Sequence, residues 1–396
     1  MPRKFVVAIA LFLVAVLLAG GAFALGGTGG PGEVQARLAG AEVLGGANTS
    51  GFATASAPRQ FAFPADHGPH PEFRNEWWYF TGNLETAEGR HFGYQLTFFR
   101  TALSPESPAR ESEWATNQVY MAHFTVTDVE TGQFHAFERF SRGAVGLAGA
   151  QAQPLRVWLE DWSVAAPPGA TGQEPQPPLR LQAAQDGVAV DLSLESLKPV
   201  VLQGDAGLSQ KGAEPGNASY YYSLTRVQTS GTVAVGGQSY QVDGLTWMDR
   251  EWSTSALSED EAGWDWFSLQ LGDGRELMYY QLRRKDGTVE PFSGGTLVLA
   301  DGSVRRLGPG DVAVEVLDHW TSPRDGASYP AKWRLRVPSA QLDLELTPYV
   351  ADQELDVTVR YWEGAVRAQG TSAGSPVAGS GYVELTGYAD GGIVVR

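Results

Sequence analysis

The sequence has no cysteine and only 4 methionines among its 396 residues. The absence of cysteine excludes disulfides, thiol nucleophiles and thiolate metal sites. Basic residues are also scarce, since 29 Lys and Arg stand against 45 Asp and Glu, for a formal net charge of −16. Nucleic-acid binding needs a basic face, so we expect no nucleic-acid partner. The chain also lacks a Gly-x-Ser-x-Gly elbow, a phosphate-binding loop and a dinucleotide fingerprint, so no hydrolase nucleophile is visible.

Glycine and aromatic residues are abundant, with 48 Gly, 12 Trp, 14 Tyr and 17 Phe. Aromatic and β-branched residues suit pleated sheet, frequent glycine suits tight turns, and few long runs have a helical period. The chain is also long enough for two domains that each bury a core. The composition therefore predicts an all-β protein of two domains.

An aromatic pattern occurs twice, at residues 77–96 and 264–282. Each copy has an aromatic strand, a turn with Gly-Arg, and a second strand that carries Tyr-Gln-Leu. The spacing is far too long for a solenoid repeat, so it indicates two domains of one fold. The clearest difference between the copies is Asp265, which stands where the first copy has Trp78.

The N-terminal residues predict export. Arg3 and Lys4 precede an apolar run, and a small-x-small site ends at Ala24. This pattern is typical of a secretory signal peptide, and the alternative is an uncleaved membrane anchor over the same residues 1–24. We expect the protein to be periplasmic or secreted, with membrane association if the segment is an anchor. Residues 25–59 predict a flexible linker, and the two domains are placed at residues 60–250 and 251–396.

Six segments carry a recognisable set of motifs, at residues 66–71, 76–82, 122–124, 247–252, 263–267 and 381–388. Together they resemble the AttH/CrtC-like family. This family contains carotenoid 1,2-hydratase, kievitone hydratase, lipocalin-like pericyclases and exported proteins described as predicted secreted hydrolases. The likeness covers about residues 60–396 and implies two lipocalin-like antiparallel β-barrels in tandem.

The resemblance implies an apolar ligand, of isoprenoid, lipid or polyketide type, in an aromatic cavity. The reaction it implies is acid-catalysed addition of water to a carbon–carbon double bond, as in a hydratase. Three alternatives stay open at this point. The protein could bind such a ligand without a reaction, or it could act as a pericyclase that orients a reactive polyene or as an uncharacterised secreted hydrolase.

Asp265 is the first candidate for the proton donor. Side chains alternate along a strand, so Asp265 shares a face with Phe267 and Leu269, which predicts that it points inward. Burial raises the pKa of a carboxyl group, and a neutral acid among aromatic rings could protonate an alkene. The alternative is a structural Asp265 bonded to the backbone or to Arg250.

The segment 249–252 lies at the junction of the two domains. Period 2 places Asp249 and Glu251 on one side and Arg250 and Trp252 on the other. The two carboxyls are candidate catalytic groups, and the alternative is an ion-paired clasp between the barrels. Hydratases of the family carry a functional His-x-Trp here, which the resemblance places at Arg250 and Trp252. Arg250 cannot shuttle a proton at neutral pH, which weakens the hydratase assignment.

Glu76 is a further candidate acid, with capping of the barrel end as the alternative. His67 and His70 have zinc-ligand side chains, but they lie in a Gly/Pro loop without a clear third histidine, so we predict no metal and no cofactor. The candidate ligand-binding residues are aromatic or polar residues of the family segments and the repeated strands. They are Trp78, Tyr79, Tyr94, His123, Arg250, Trp252, Trp264, Trp266 and Tyr280.

Overall fold

The computed structural model describes residues 49–389, except 108, 110, 169, 171–177, 255–257 and 259. The predicted signal peptide or anchor, and the predicted linker up to residue 48, lie outside the described residues. Within the described ranges, no helix has the length and apolarity needed to cross a bilayer.

The first sheet has 13 strands, and every neighbouring pair is antiparallel. The strand order is β4-β3-β2-β1-β13-β12-β9-β8-β7-β6-β5, and β10 and β11 both pair with β12. The strands are β1 (Asn75–Glu85), β2 (His91–Ala102), β3 (Gln118–Asp128), β4 (Gln133–Arg142), β5 (Ala148–Ala152), β6 (Leu155–Leu159), β7 (Trp162–Ala165), β8 (Leu179–Gln185), β9 (Val188–Ser196), β10 (Val201–Leu202), β11 (Leu208–Gln210), β12 (Ala218–Val235) and β13 (Gln238–Ser253).

The second sheet has 10 strands in the order β17-β16-β15-β14-β23-β22-β20-β19-β18, with β21 paired to β22. Short 3-10 helices occur at Ala65–His67 and Pro338–Ala340. The strands are β14 (Glu261–Leu271), β15 (Glu276–Arg284), β16 (Gly294–Val298), β17 (Val304–Leu307), β18 (Ala313–Thr321), β19 (Ser328–Val337), β20 (Leu342–Pro348), β21 (Glu354–Leu355), β22 (Tyr361–Ser372) and β23 (Ser375–Leu385).

The predicted all-β architecture of two lipocalin-like barrels is confirmed. The first sheet ends at Ser253 and the second begins at Glu261, so the division predicted after residue 250 falls within β13. The hairpin from β12 to β13 shows how the sequence directs the turns. Gly236 and Gly237 join these strands with φ of 60° and 76°, a left-handed conformation that glycine adopts at little cost.

The repeated aromatic pattern forms the hairpins β1–β2 and β14–β15. Both end in the same type of turn: Gly89 N–H donates to Thr86 O at 2.9 Å, and Gly274 N–H donates to Leu271 O at 3.1 Å. Both glycines have positive φ, 87° and 82° respectively. The duplication in the sequence therefore corresponds to the opening hairpin of each barrel.

Each barrel has its own apolar core on the inner face of its sheet. The first contains Trp78, Phe80 and Trp252, and the second contains Phe267 and Trp333. A third apolar cluster lies between the barrels and is built from outward-facing residues of both sheets. Its members are Tyr79, Tyr221, Trp247, Trp266, Met278, Tyr280, Leu282, Ala365 and Tyr382.

Ion pairs that join the two barrels converge on Glu276 at the start of β15. Lys198 Nζ lies 2.8 Å from Glu276 Oε2, and Arg226 Nε donates to Glu276 Oε1. Both cations come from the first barrel, and the Glu276 side chain is fully buried. An ionic clasp is therefore present, but at Glu276 and not at residues 249–252, the position considered from the sequence.

Candidate functional site

The candidate site is a cavity between the two barrels, with about 1010 Å³ of empty space that is partly open to solvent. Its walls are the outer faces of β1, β2, β12 and β13 from the first barrel and of β14, β15, β22 and β23 from the second. Eight of the 17 lining residues are aromatic, and four carboxyl groups and one lysine also face the space. The aromatic lining residues are Trp77, Tyr79, Phe99, Tyr221, Trp264, Trp266, Tyr280 and Tyr361.

Strand alternation explains which side chains reach the cavity. On β1, Trp77 and Tyr79 face it, whereas Trp78 is buried in the core of the first barrel. On β14, Trp264 and Trp266 face it. The two aromatic strands of the sequence repeat thus meet across one space, because the outer faces of both barrels pack together.

Glu363 and Glu384 form the chemically most unusual part of the lining. They are direct cross-strand neighbours on β22 and β23. Glu363 is fully buried, and Glu384 is partly exposed within the cavity. Tyr79 Oη donates to Glu363 Oε1 at 2.7 Å, and Trp264 Nε1 donates to Glu384 Oε1 at 3.1 Å. No lysine or arginine of the described residues forms an ion pair with either carboxyl group.

This arrangement favours neutral carboxylic acids. Burial disfavours charge, and two adjacent carboxylates repel each other. Burial raises the pKa of Glu384 to about 8, with the Asp249 and Glu251 carboxyls adding to the effect against the Trp264 hydrogen bond. Burial and the neighbouring Glu384 hold the pKa of Glu363 well above its ordinary value. At neutral pH the pair therefore carries protons.

Asp249 faces the cavity from β13 and receives three hydrogen bonds. Its donors are the Tyr221 hydroxyl at 2.6 Å, the Ser223 hydroxyl at 2.5 Å and Trp247 Nε1 at 2.7 Å. Burial raises the pKa of Asp249 to about 7, although these three donors act in the opposite direction. Asp249 is therefore poised to change protonation near neutral pH.

Glu251 and Lys211 form an ion pair at the cavity wall. Lys211 Nζ lies 3.3 Å from Glu251 Oε1 and 4.2 Å from the centre of the Tyr280 ring. Burial disfavours the charged lysine, but the Glu251 carboxylate outweighs it and raises the pKa of Lys211. The cavity thus combines neutral acids on the second barrel with an ion pair on the first.

Asp265 does not lie where the ligand cavity was expected. Its inward direction is confirmed, but that direction points it into the second barrel, away from the cavity that Trp264 and Trp266 line. Arg283 Nε donates to Asp265 Oδ1 at 2.8 Å, and the Tyr388 hydroxyl donates at 3.0 Å. Burial raises the pKa of Asp265, as expected, against the influence of Arg283 and Tyr388. The prediction that Asp265 lines the cavity is wrong, and its partner is Arg283 and not Arg250.

Glu76 is equally unsuited to donate a proton. It is buried inside the first barrel, where Arg100 and Arg250 both donate to its carboxylate and the backbone N–H of His70 lies 3.1 Å from Oε2. Burial alone would raise its pKa, but Arg250 and Arg100 outweigh burial and hold the pKa of Glu76 well below its usual range. Glu76 is therefore a charged structural group at neutral pH.

The remaining predicted binding residues divide between the cavity and the first barrel. Tyr79, Trp264, Trp266 and Tyr280 line the cavity with Asp249 and Glu251. Four others lie on the inner face of β1, β2 or β13 and do not line it, namely Trp78, Tyr94, Arg250 and Trp252.

Their contacts show a structural network inside the first barrel. The Arg250 guanidinium lies 3.9 Å from the centre of the Trp78 ring, and His70 stacks on Trp252 at 3.8 Å. His123 is adjacent to the cavity, because its Nδ1 lies 2.7 Å from the hydroxyl of Tyr361, which does line it. The alternation of side chains along a strand therefore predicted the two faces of residues 249–252 correctly. Asp249 and Glu251 face the cavity, and Arg250 and Trp252 do not.

Sequence reasoning missed several lining residues, among them Gln95, Lys211, Tyr221, Tyr361, Glu363 and Glu384. The sequence did contain a signal for Glu384, because this acidic residue interrupts the apolar strand at residues 381–385 of a family segment. The signal for Glu363 was weaker, and Lys211 lies in a loop where no periodicity applies. Among the described residues, no group of three or more His, Asp or Glu side chains is arranged to hold a metal ion.

A tandem pair of lipocalin-like barrels with an acid-containing aromatic cavity between them defines the class of this protein. The chain belongs to the AttH-like family, whose profile matches residues 54–388. A crystal structure of an AttH candidate from Nitrosomonas europaea is similar, with 36% identity and a TM-score of 0.74 over 85% of this chain and 100% of that one.

A curated relative is kievitone hydratase from Fusarium solani subsp. phaseoli, 25% identical over 213 residues. The match spans 52% of this chain and 59% of that protein, so it covers less than two thirds of its length. The crystal structure of kievitone hydratase from Nectria haematococca has a TM-score of 0.62 at 19% identity, over 86% of this chain and 97% of that one. CghA in complex with Sch210972 has a TM-score of 0.52 at 15% identity, over 87% and 98%. These last two structures support the fold alone.

Proposed function

We propose that the protein binds an apolar small molecule in the inter-barrel cavity and adds water to a carbon–carbon double bond of that molecule. The observation that carries the proposal is the neutral carboxyl pair Glu363 and Glu384 among tryptophan and tyrosine rings. A neutral acid in an apolar, aromatic site is the group needed to protonate an alkene. The similarity to kievitone hydratase supports the same class of reaction.

Glu384 is the proton donor in this proposal. One of its oxygens accepts from Trp264 Nε1, and its exposed surface faces the cavity. Transfer of its proton to one alkene carbon breaks the π bond and leaves a carbocation on the other carbon. The faces of Trp264 and Trp266 stabilise that positive charge through their ring quadrupoles.

Water then completes the reaction. Its oxygen forms a bond to the cationic carbon, and its surplus proton passes to a carboxylate of the cavity. We propose Glu251 for that role, because it lines the cavity and Lys211 Nζ lies 3.3 Å from its Oε1. The net change is the addition of one water molecule, and return of the proton to Glu384 restores the starting state.

The test uses turnover in isotopically labelled water with a panel of acyclic isoprenoids, prenylated phenols and kievitone. We expect label to enter one alkene as a hydroxyl group. Glu384→Gln keeps the shape but removes the acid, so turnover should fall by about a hundredfold or more while ligand affinity changes little. Asp265→Asn is the matched control, since it alters a buried acid outside the cavity and should retain turnover per folded molecule.

Two results would contradict the proposal. Turnover that persists in Glu384→Gln removes the acid assignment. Tight binding of a panel member without label incorporation in the wild-type protein makes the protein a carrier of that ligand and not a hydratase.

A further inference from the structure

Two cavity residues have a buried oxygen atom with no hydrogen-bond partner among the described residues. These atoms are Gln95 Oε1 and Glu363 Oε2. Gln95 comes from β2 of the first barrel and Glu363 from β22 of the second, and both line the cavity. An unpaired polar atom in a buried position costs free energy, because its hydrogen bond to water is lost and not replaced. Such atoms beside a cavity therefore indicate groups that a ligand would satisfy.

The other polar atoms of both side chains are already engaged. Gln95 Nε2 donates to Thr97 Oγ1 at 2.9 Å and to the Tyr361 hydroxyl at 3.1 Å. Tyr361 is held in turn by His123 Nδ1 at 2.7 Å. Glu363 Oε1 accepts from the Tyr79 hydroxyl at 2.7 Å. These contacts fix both side chains and leave one oxygen of each for a ligand.

The two free oxygens differ in chemistry. Gln95 Oε1 can only accept a hydrogen bond. Glu363 is buried beside Glu384 without an ion-pair partner among the described residues, so its carboxyl favours the protonated form and can donate a hydrogen bond. A hydroxyl group accepts one hydrogen bond and donates another, and it therefore satisfies both partners at once. A carboxylate only accepts hydrogen bonds, so it would leave Gln95 Oε1 unpaired, and a hydrocarbon would leave both oxygens unpaired.

We propose that Gln95 and Glu363 form a hydroxyl subsite, which takes an uncharged alcohol group at one end of an otherwise apolar ligand. The inference rests on the inter-barrel cavity as the ligand site of the proposed function. It adds the class of molecule: an alcohol with an apolar chain, in preference to a hydrocarbon, an acid or an amine of the same chain.

The test compares four probes that share one chain: farnesol, farnesene, farnesoic acid and farnesylamine. Trp77, Trp264 and Trp266 line the cavity, so quenching of tryptophan fluorescence reports binding. We expect farnesol to bind the wild-type protein about five- to tenfold more tightly than farnesene, the effect of one or two buried hydrogen bonds. Farnesoic acid and farnesylamine should bind more weakly than farnesol.

Gln95→Met keeps the size of the side chain and removes the acceptor, together with the amide group that donates to Thr97 and Tyr361. It should reduce the preference for farnesol over farnesene to less than about twofold. Glu363→Gln keeps a donor at the second position and should retain much of the preference. Gln182→Met, on β8 and outside the cavity, is the matched control and should behave as wild type.

The ranking of the probes by the wild-type protein decides the proposal even if a variant does not fold. Equal affinity for farnesol and farnesene would overturn the subsite and leave the cavity as a purely apolar site. Tightest binding of farnesoic acid would assign recognition to Lys211, and tightest binding of farnesylamine would assign it to ionised acids. Both results overturn the subsite. If no probe binds, the apolar-ligand cavity of the proposed function fails together with it.

Discussion

Replacement of Glu276 by glutamine should destabilise the packing of the two barrels against each other. The Glu276 carboxylate is fully buried and pairs with Lys198 and Arg226, whose side chains are only 10% and 16% exposed. Glutamine keeps the shape and one acceptor, so the main change is the loss of the charge. Breaking a buried pair from one side costs about 3 to 5 kcal/mol. Since both cations retain some contact with water, we expect a loss of about 3 kcal/mol in the free energy of unfolding.

Equilibrium unfolding in urea, followed by tryptophan fluorescence and by circular dichroism, measures this loss. The control is Glu345→Gln, which removes the charge from an exposed pair with Lys332 at 2.7 Å. Exposed pairs contribute about 0 to 1 kcal/mol, so the control should be nearly neutral. If Glu276→Gln unfolds at the same urea concentration as Glu345→Gln, the buried clasp does not hold the barrels together.

Two further predictions concern the barrel interface and the acid pair. A Cβ at Gly93 would lie 2.6 Å from the Cβ of Ala365 in the other barrel. Gly93→Ala should therefore lower the free energy of unfolding by about 1 to 3 kcal/mol, measured by urea titration. It should also weaken ligand binding, measured by probe fluorescence. An unchanged urea midpoint would contradict the close contact. The raised pKa of Glu384 gives stability that is fully present below the unfolded pKa of about 4.3 and is lost as pH rises through about 8. Glu384→Gln should therefore lose less stability than wild type between about pH 5 and pH 9 in thermal melts, and parallel curves for the two proteins would refute the raised pKa.

The fold was accessible from the sequence because its signals are local and repeated. The two aromatic hairpins at residues 77–96 and 264–282 have the same turn and the same alternation, and these are short-range properties. Period 2 also separated Asp249 and Glu251 from Arg250 and Trp252 correctly. Alternation depends only on the strand itself, so no knowledge of the neighbouring barrel was needed for this step.

The site was only partly accessible, because alternation does not tell which face of a strand meets a cavity. Asp265 shares the more apolar face of β14, which faces the core of the second barrel and not the inter-barrel cavity. The outer face with Trp264 and Trp266 becomes buried only because a second barrel packs on it. The pairing of Glu363 with Glu384 further depends on the register of β22 and β23, which a single sequence does not reveal.

Infrared difference spectroscopy shows whether the inter-barrel cavity holds a neutral carboxylic acid at neutral pH. A protonated carboxyl group gives a C=O stretching band that a carboxylate lacks. We predict such a band in the wild-type protein at pH 7, with a component that titrates near pH 8 and is missing in Glu384→Gln but present in Asp265→Asn. A wild-type spectrum without a protonated carboxyl band at pH 7 would show that the cavity acids are ionised, and a Glu384→Gln spectrum that retains the titrating component would show that Glu384 is not the group that titrates.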